Sequence, residues 1–136
     1  YSARGFMISF NKNQSSFRLD TPDSTYVITI SKKGYVAHSY YGPKIGQDDV
    51  SYLTRQMEYG FSDNKIFREK LSLLDFLPQE MPTSGVGDFR EPALAITNAN
   101  GNNAVELKYK SYNQIQILSP YSRSSFQDLY AYLYHR

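Results

Sequence analysis

The sequence predicts an all-β fold of antiparallel strands that ends in a short C-terminal helix. Two observations predict the strands: apolar and polar residues alternate with a period of two, and turn-forming residues recur about every eight to twelve positions. A third predicts the helix, because the spacing of the apolar residues changes near the end of the chain. Tandem short strands separated by turns are typical of a sandwich or a barrel.

The first third of the chain carries the strand pattern most plainly. Short strands are expected over residues 7–10 and 16–20, with a polar turn between them. Tyr26, Ile28 and Ile30 alternate with Val27 and Thr29, and a turn at Gly34 returns the chain through residues 35–41. These segments predict antiparallel neighbours in one sheet.

The middle of the chain, residues 46–72, is charged and mixed and shows no sustained period of 2 or of 3.6. A loop of this length inside a compact domain is usually functional or forms an interaction surface. We therefore expect function to concentrate in this segment.

The last β unit begins with a strand expected over residues 93–97. Residues 98–102 contain an Asn-Gly step suited to a turn with positive φ. Val105, Leu107 and Tyr109 then alternate with charged residues, which predicts a strand with one apolar face. Ile115 and Ile117, which lie between glutamines, suggest one more strand.

The final segment predicts a helix. Its apolar residues stand at positions i, i+3, i+4 and i+7, and Ser124 or Ser125 is available as the N-cap. The four apolar residues are Phe126, Leu129, Tyr130 and Leu133.

Composition excludes several classes of function. The 136 residues suit one domain, and a net charge of +2 from scattered basic residues argues against nucleic-acid binding. The chain has no cysteine, and His38 and His135 lack ligand spacing, so neither a metal site nor a cofactor is expected. The 13 tyrosines and 8 phenylalanines could stack on bases or sugars, but their strand-like positions favour core and sheet packing.

Targeting signals are not apparent in the sequence. No apolar run approaches the roughly 20 residues of a membrane-spanning helix, so no membrane association is expected. Residues 1–6 lack the apolar core of a signal peptide and are interpreted as a tag or as upstream sequence before Met7. A cytoplasmic location is the resulting expectation.

The charged motif Asp88, Arg90 and Glu91 is the main candidate for chemistry. Two carboxylates that cleave a glycosidic bond must face each other across it, whereas neighbours in an extended segment point in alternating directions. The arginine between them would also keep both acids ionised. These arguments favour a structural ion pair or a turn brace over a ligand contact, and a ligand contact over catalysis. His38, within an aromatic strand, is likewise interpreted as a hydrogen-bonded sheet histidine rather than a general base.

Eight sequence blocks stand in order from about residue 7 to residue 112. They are MISF at 7–10, TYVI at 25–28, GYVAH at 34–38, YYGPKI at 40–45, DVSYL at 49–53, LDFLPQE at 74–80, GDFREPAL at 87–94 and LKYKSY at 107–112. The series resembles, block by block and in the same order, the N-terminal region of the family 36 glycoside hydrolases, the α-galactosidases, which makes it more specific than any single block.

The resemblance implies that this region is part of an antiparallel β-supersandwich. In the family, the aspartates that remove α-linked galactose with retention lie on a following (β/α)8 barrel, to which nothing in this chain corresponds. The resemblance therefore implies no catalytic residue here, a structural role for Asp88, Arg90 and Glu91, and no hydrolase activity for the chain alone.

The resemblance also implies a role in assembly. Family members form tetramers in which the N-terminal domain of one subunit helps to shape the galactoside pocket of its neighbour. Glu58 takes the place of the family's acidic loop residue, and Lys70 stands where an arginine is usual. Lysine cannot reproduce the planar bidentate grip of arginine, so solvated loop charge stays open as the alternative for both residues.

The chain departs from the family pattern after residue 112. We divide it into residues 1–6, a partial N-terminal sandwich over 7–118, and an atypical tail over 119–136 that suggests a truncated or frameshifted reading frame. A half-sandwich would expose a strand edge and an apolar face, which predicts oligomerisation unless the tail covers that face. The expected function is a non-catalytic N-terminal fragment that supports assembly and pocket shaping in the full-length enzyme. The alternative is a free-standing carbohydrate-binding or protein-interaction sandwich.

Overall fold

The structure is a computed structural model. It describes residues 7–54, 74, 77–85, 87–118 and 125–135, with residues 115–118 and 125–135 described by their backbone. Within these ranges the chain forms six strands and one 3-10 turn, so the prediction of an all-β fold is confirmed. The elements are β1 (Met7–Asn11), β2 (Ser16–Asp20), β3 (Ser24–Ile30), β4 (Val36–Pro43), the 3-10 turn Ser51–Leu53, β5 (Leu107–Leu118) and β6 (Ser125–His135).

The first four strands form one antiparallel sheet in the order β1-β2-β3-β4. Each strand pairs with the next along the chain, as the short polar turns predicted. Gly34 has a φ of 89° in the turn between β3 and β4, a backbone conformation that glycine adopts without a Cβ clash. The register shifts in β4, where Ser39 is the extra residue between the partners of Val27 and Ile28.

The two faces of this sheet differ in chemistry. Thr25, Val27 and Thr29 alternate along β3 on a buried face that also carries Arg18 and Asp20. We call this the polar face. The opposite face carries Phe17, Tyr26 and Tyr41, with Phe10 and His38, and we call it the aromatic face.

The outer edge of β4 is partly covered by the segment that precedes the charged motif. The His38 amide donates to the Pro78 carbonyl oxygen at 2.6 Å, and the Glu80 amide donates to the Val36 carbonyl oxygen at 3.0 Å. Leu77, only 2% exposed, packs there with Ala37. This edge pairing places residues 77–80 beside the sheet.

Strands β5 and β6 form a long antiparallel hairpin, and β5 packs on the aromatic face. The ring of Tyr112 lies 4.8 Å from that of Phe17 and 5.2 Å from that of Phe10. Gln114 also donates from Nε2 to the carbonyl oxygen of Ile8 at 3.3 Å. Strand β5 therefore packs the Tyr112 ring against the aromatic face of the four-stranded sheet, as a second layer does in a sandwich.

The predicted strand over residues 93–97 is wrong. The structure gives this segment a single bridge between Thr83 and Leu94, and most of the segment is exposed. Ala93 and Ala95 have low strand propensity, and the preceding Pro92 has no amide donor, so little favours a ladder here. The expected strand around Ile115 and Ile117 is not separate either, because β5 runs through both predicted segments.

The predicted C-terminal helix is also wrong, because Phe126, Leu129, Tyr130 and Leu133 lie in β6. The segment also contains tyrosines at every second position, Tyr130, Tyr132 and Tyr134, which is the period of a strand. Tyrosine and phenylalanine favour strands, and pairing with β5 along nearly the whole strand outweighs the helical spacing. That the tail covers the apolar face stays a prediction, as does the division of the chain at residue 118.

Candidate functional site

The predicted site residues fall into two groups. Glu58 and Lys70 lie outside the residues that the structure describes. Asp88, Arg90 and Glu91 lie within them, after the chain has turned through positive φ angles at Gly85 and Gly87.

Asp88 and Arg90 form a bidentate ion pair. Nε of Arg90 donates to Oδ1 of Asp88 at 2.9 Å, and Nη2 donates to Oδ2 at 2.7 Å. The backbone amide of Arg90 adds a third hydrogen bond to this carboxylate, donating to Oδ1 at 3.1 Å. The Asp88 side chain is fully buried in this arrangement, whereas that of Arg90 is 37% exposed. These hydrogen bonds join the two ends of the short turn from Asp88 to Arg90.

The same guanidinium binds the backbone that follows the loop. Nη2 of Arg90 donates to the carbonyl oxygens of Leu74 and Leu77 at 2.8 and 2.6 Å. The side-chain Nε2 of Gln79 donates to Oδ2 of Asp88 at 2.7 Å. Burial alone would raise the pKa of Asp88, but the hydrogen bonds and charge of Arg90, together with Gln79, hold that pKa below its ordinary value. The carboxylate therefore stays ionised.

Glu91 stands apart from this pair. Its side chain is exposed, and it forms no ion pair with any residue in the described ranges. Asp88 is enclosed by its partners, so the two carboxylates do not face each other across a cleft. The geometry provides neither a protonated acid nor a free nucleophile at this motif.

A second arrangement of the same kind lies on the polar face, and the sequence analysis missed it. Nε of Arg18 donates to Oδ2 of Asp20 at 2.9 Å, and the Thr25 hydroxyl donates to Oδ1 at 2.5 Å. The other guanidinium nitrogens donate to the carbonyl oxygens of Ile45 and Gly46, each at 2.5 Å. Both charged side chains are at most 10% exposed.

The pKa of Asp20 is shifted in the same direction as that of Asp88. Burial by itself would raise this pKa, but hydrogen bonds from Arg18 and Thr25 and the charge of Arg18 hold it below its ordinary value. A signal for this pair was present in the sequence: Arg18 and Asp20 are two residues apart in a strand and so share a face, while Phe17 and Leu19 point the other way.

The two ion pairs flank the aperiodic loop. Arg18 binds the backbone at Ile45 and Gly46, where the loop begins, and Arg90 binds it at Leu74 and Leu77, just after the loop ends. We call Arg18–Asp20 and Arg90–Asp88 the two clamps. Bonds from a guanidinium are charge-assisted and geometrically specific, so the clamps fix the backbone at Ile45 and Gly46 and at Leu74 and Leu77.

His38 lies near the edge of β4, where its Nδ1 is 3.3 Å from Oε1 of Glu80. Its ring also lies 5.4 Å from that of Tyr26. No group of three or more acidic or histidine side chains suited to a metal ion occurs within the described ranges. No helix among those same residues is long and apolar enough to cross a bilayer.

Comparison with known proteins identifies similar sequences. Residues 34–130 match the family described as the glycosyl hydrolase family 36 N-terminal domain. The chain is 37% identical over 107 residues to the bifunctional alpha-galactosidase/sucrose kinase AgaSK of Mediterraneibacter gnavus. It is 30% identical over 105 residues to the alpha-galactosidase AgaA of Geobacillus stearothermophilus. Each match covers 77% of this chain but only 11% and 14% of the respective relative.

Solved structures show the same likeness. The galactosidase domain of AgaSK superposes with a TM-score of 0.73 at 36% identity, covering 81% of this chain and 15% of that one. The AgaA variant A355E D548N of Geobacillus stearothermophilus, in complex with raffinose, gives a TM-score of 0.67 at 30% identity, covering 74% of this chain and 14% of that one. The described sheets therefore correspond to the β-sandwich at the start of these larger enzymes.

Proposed function

Because the chain belongs to the glycosyl hydrolase family 36 N-terminal domain family, we propose that it supports subunit assembly and shapes the galactoside pocket of a neighbouring subunit. In this role the chain is the non-catalytic N-terminal part of an alpha-galactosidase-like hydrolase. It presents Glu58 and Lys70 of the loop to the sugar bound in the pocket of the neighbouring subunit.

The two clamps are the observation that carries this proposal. A loop that contributes contacts to a neighbour's pocket must keep its position when no sugar is bound, since ordering it on binding would cost affinity. The Arg18 and Arg90 bonds to four backbone carbonyl oxygens supply that preorganisation at the base of the loop.

The proposed contacts follow from the two loop side chains. The carboxylate of Glu58 accepts hydrogen bonds from sugar hydroxyl groups, and the ammonium group of Lys70 donates to them. Lysine acts as a flexible point charge, so its contact is weaker than a planar arginine fork at the same place. Arginine at position 70 should therefore bind sugar more tightly than the natural lysine.

The substrate class comes from the relatives. The similar proteins carry the name alpha-galactosidase, and one solved relative binds raffinose. We infer that α-galactosides such as melibiose and raffinose are the ligands of the complete enzyme. Hydrolysis itself is assigned to the part of that enzyme that lies outside this chain.

The test uses a hybrid enzyme in which this chain replaces the matching N-terminal segment of the Mediterraneibacter gnavus relative. Glu58→Ala and Lys70→Ala should each raise KM for raffinose about tenfold, with kcat changed less than about twofold, because uniform binding is lost. Lys70→Arg should lower KM. The matched controls are Glu91→Ala and Lys110→Ala, which remove exposed charges elsewhere. An unchanged KM in both alanine variants of the loop would refute the pocket-shaping role.

A further inference from the structure

A cavity of about 460 Å³ opens on the aromatic face of the four-stranded sheet. Ile8 of β1 and Leu19 of β2 contribute apolar surface to it, and Tyr26 of β3 and Tyr41 of β4 contribute two aromatic rings. Its size lies within the usual range of small-molecule sites, which are mostly apolar with a few polar groups. Its lining comes from all four strands of the sheet and so rests on regular structure.

The two tyrosines form a corner. Their ring centroids are 5.8 Å apart and their planes meet at 80°. Tyr26 is held in place, because its hydroxyl donates to Glu80 and its ring lies 5.4 Å from that of His38. Tyr41 is 68% exposed, so one aromatic surface of the corner is open to a ligand.

Neutral hydroxyl groups supply the polar part of the lining. Oγ1 of Thr21 lies 2.8 Å from Oγ of Ser24 and accepts from the Ser24 amide at 2.9 Å, which fixes the pair at the end of the sheet. Asp20 also lines the cavity, but its carboxylate oxygens accept from Arg18 and Thr25. Its charge is therefore already compensated, and the cavity suits an uncharged ligand.

We propose that this cavity binds the pyranose ring of a neutral saccharide. A pyranose has an apolar C–H face that stacks on an aromatic ring and a rim of hydroxyl groups that exchange hydrogen bonds with serine and threonine. The exposed Tyr41 ring and the Thr21–Ser24 hydroxyl pair present these two features side by side. The described residues that line this site come from β1 to β4 and the turn between β2 and β3, so the proposal does not depend on the loop of Glu58 and Lys70.

The test is a titration of the 136-residue chain with methyl α-galactoside, and in parallel with methyl α-glucoside, followed by NMR chemical shifts. We expect saturable binding of at least one glycoside with a Kd on the order of 1 mM, weakened about tenfold or more by Tyr41→Ala. Tyr52→Ala is the matched control, since Tyr52 is 64% exposed and lies outside the cavity. Ser24→Ala should weaken binding by a smaller factor.

Absence of saturation by both glycosides up to about 50 mM would overturn the proposal, and so would equal weakening by Tyr41→Ala and Tyr52→Ala. If the parent binds neither glycoside and Tyr41→Ala reduces self-association, the cavity is instead a contact between copies. This titration uses the 136-residue chain and not the hybrid enzyme, so a failure here is distinct from a failure of the pocket-shaping role.

Discussion

At the residue scale, the same side-chain chemistry occurs twice. Arg18 and Arg90 each bind a carboxylate two positions away in the chain and also two backbone carbonyl oxygens of a distant segment. The carboxylate compensates the charge of a guanidinium that is largely occupied by the backbone. Each clamp therefore joins a local turn or strand to the base of the loop. Without its partner, either charge would be left uncompensated in a buried or partly buried position.

Asp88→Asn tests this arrangement. The variant keeps the shape of the side chain but removes the charge that Arg90 faces, so we expect the free energy of unfolding to fall by about 2 kcal/mol. Glu91→Gln is the control, because Glu91 is exposed and should change stability by less than about 0.5 kcal/mol. Urea unfolding followed by circular dichroism measures both. Equal effects of the two substitutions would mean that the clamp contributes nothing to stability.

The lowered pKa values of Asp20 and Asp88 make stability depend on pH. A carboxyl group with a lower pKa when folded than when unfolded stabilises the fold fully above its unfolded pKa and loses that stabilisation as the pH falls through the folded pKa. We expect the free energy of unfolding to decrease below about pH 4 and the decrease to be shallower in Asp88→Asn. Urea titrations at several acidic pH values measure it, and identical slopes in the two proteins would contradict the assignment.

At the element scale, a strand or helix was predicted correctly where the local spacing of apolar residues and the pairing with distant strands favour the same secondary structure. The first four strands combine period-two alternation with short turns to the next strand, so local signals were sufficient to predict them. In β6, local spacing favoured a helix, whereas pairing with β5 required a strand. Residues 93–97 gave the opposite error, since an apolar run without a partner strand does not form a ladder.

The connection before β5 contains a position that tolerates only glycine. Gly85 has a φ of 80°, and a Cβ there would lie 2.6 Å from Cα of Ala104 and 2.7 Å from its Cβ. The adjacent backbone is tightly held, because the Val105 amide donates to the Ser84 carbonyl oxygen at 3.0 Å. The clash is with backbone, which cannot move without breaking this contact.

Gly85→Ala should therefore destabilise the chain by about 3 kcal/mol or more, from backbone strain and overpacking together. Gly87→Ala is the matched control: its φ is 89°, but no atom lies within 4 Å of the new Cβ, so strain alone should cost about 1 kcal/mol. Thermal and urea unfolding of both variants measure the difference. A Gly85→Ala variant no less stable than Gly87→Ala would show that the connection repacks freely.

At the scale of the whole molecule, the fold was more predictable than the site. Alternation and turns indicate antiparallel β structure because those signals are local. The clamps bring together residues such as Arg18 and Gly46, or Arg90 and Leu74, that are far apart in the chain, and no periodicity records such contacts. The spacing of Asp88 and Arg90 was enough to predict an ion pair between them. The hydrogen bonds from Arg90 to the backbone at the base of the loop could be identified only in the folded structure.

Mixing two hybrid subunits tests whether the loop serves the pocket of a neighbouring subunit. One subunit carries Glu58→Ala and Lys70→Ala with an intact catalytic part, and the other carries the natural loop with an inactivated catalytic part. If the loop acts across the interface, mixed oligomers should recover raffinose hydrolysis well above the sum of the separate proteins. Activity equal to that sum, in oligomers shown by light scattering to be mixed, would show that the loop does not act across the interface.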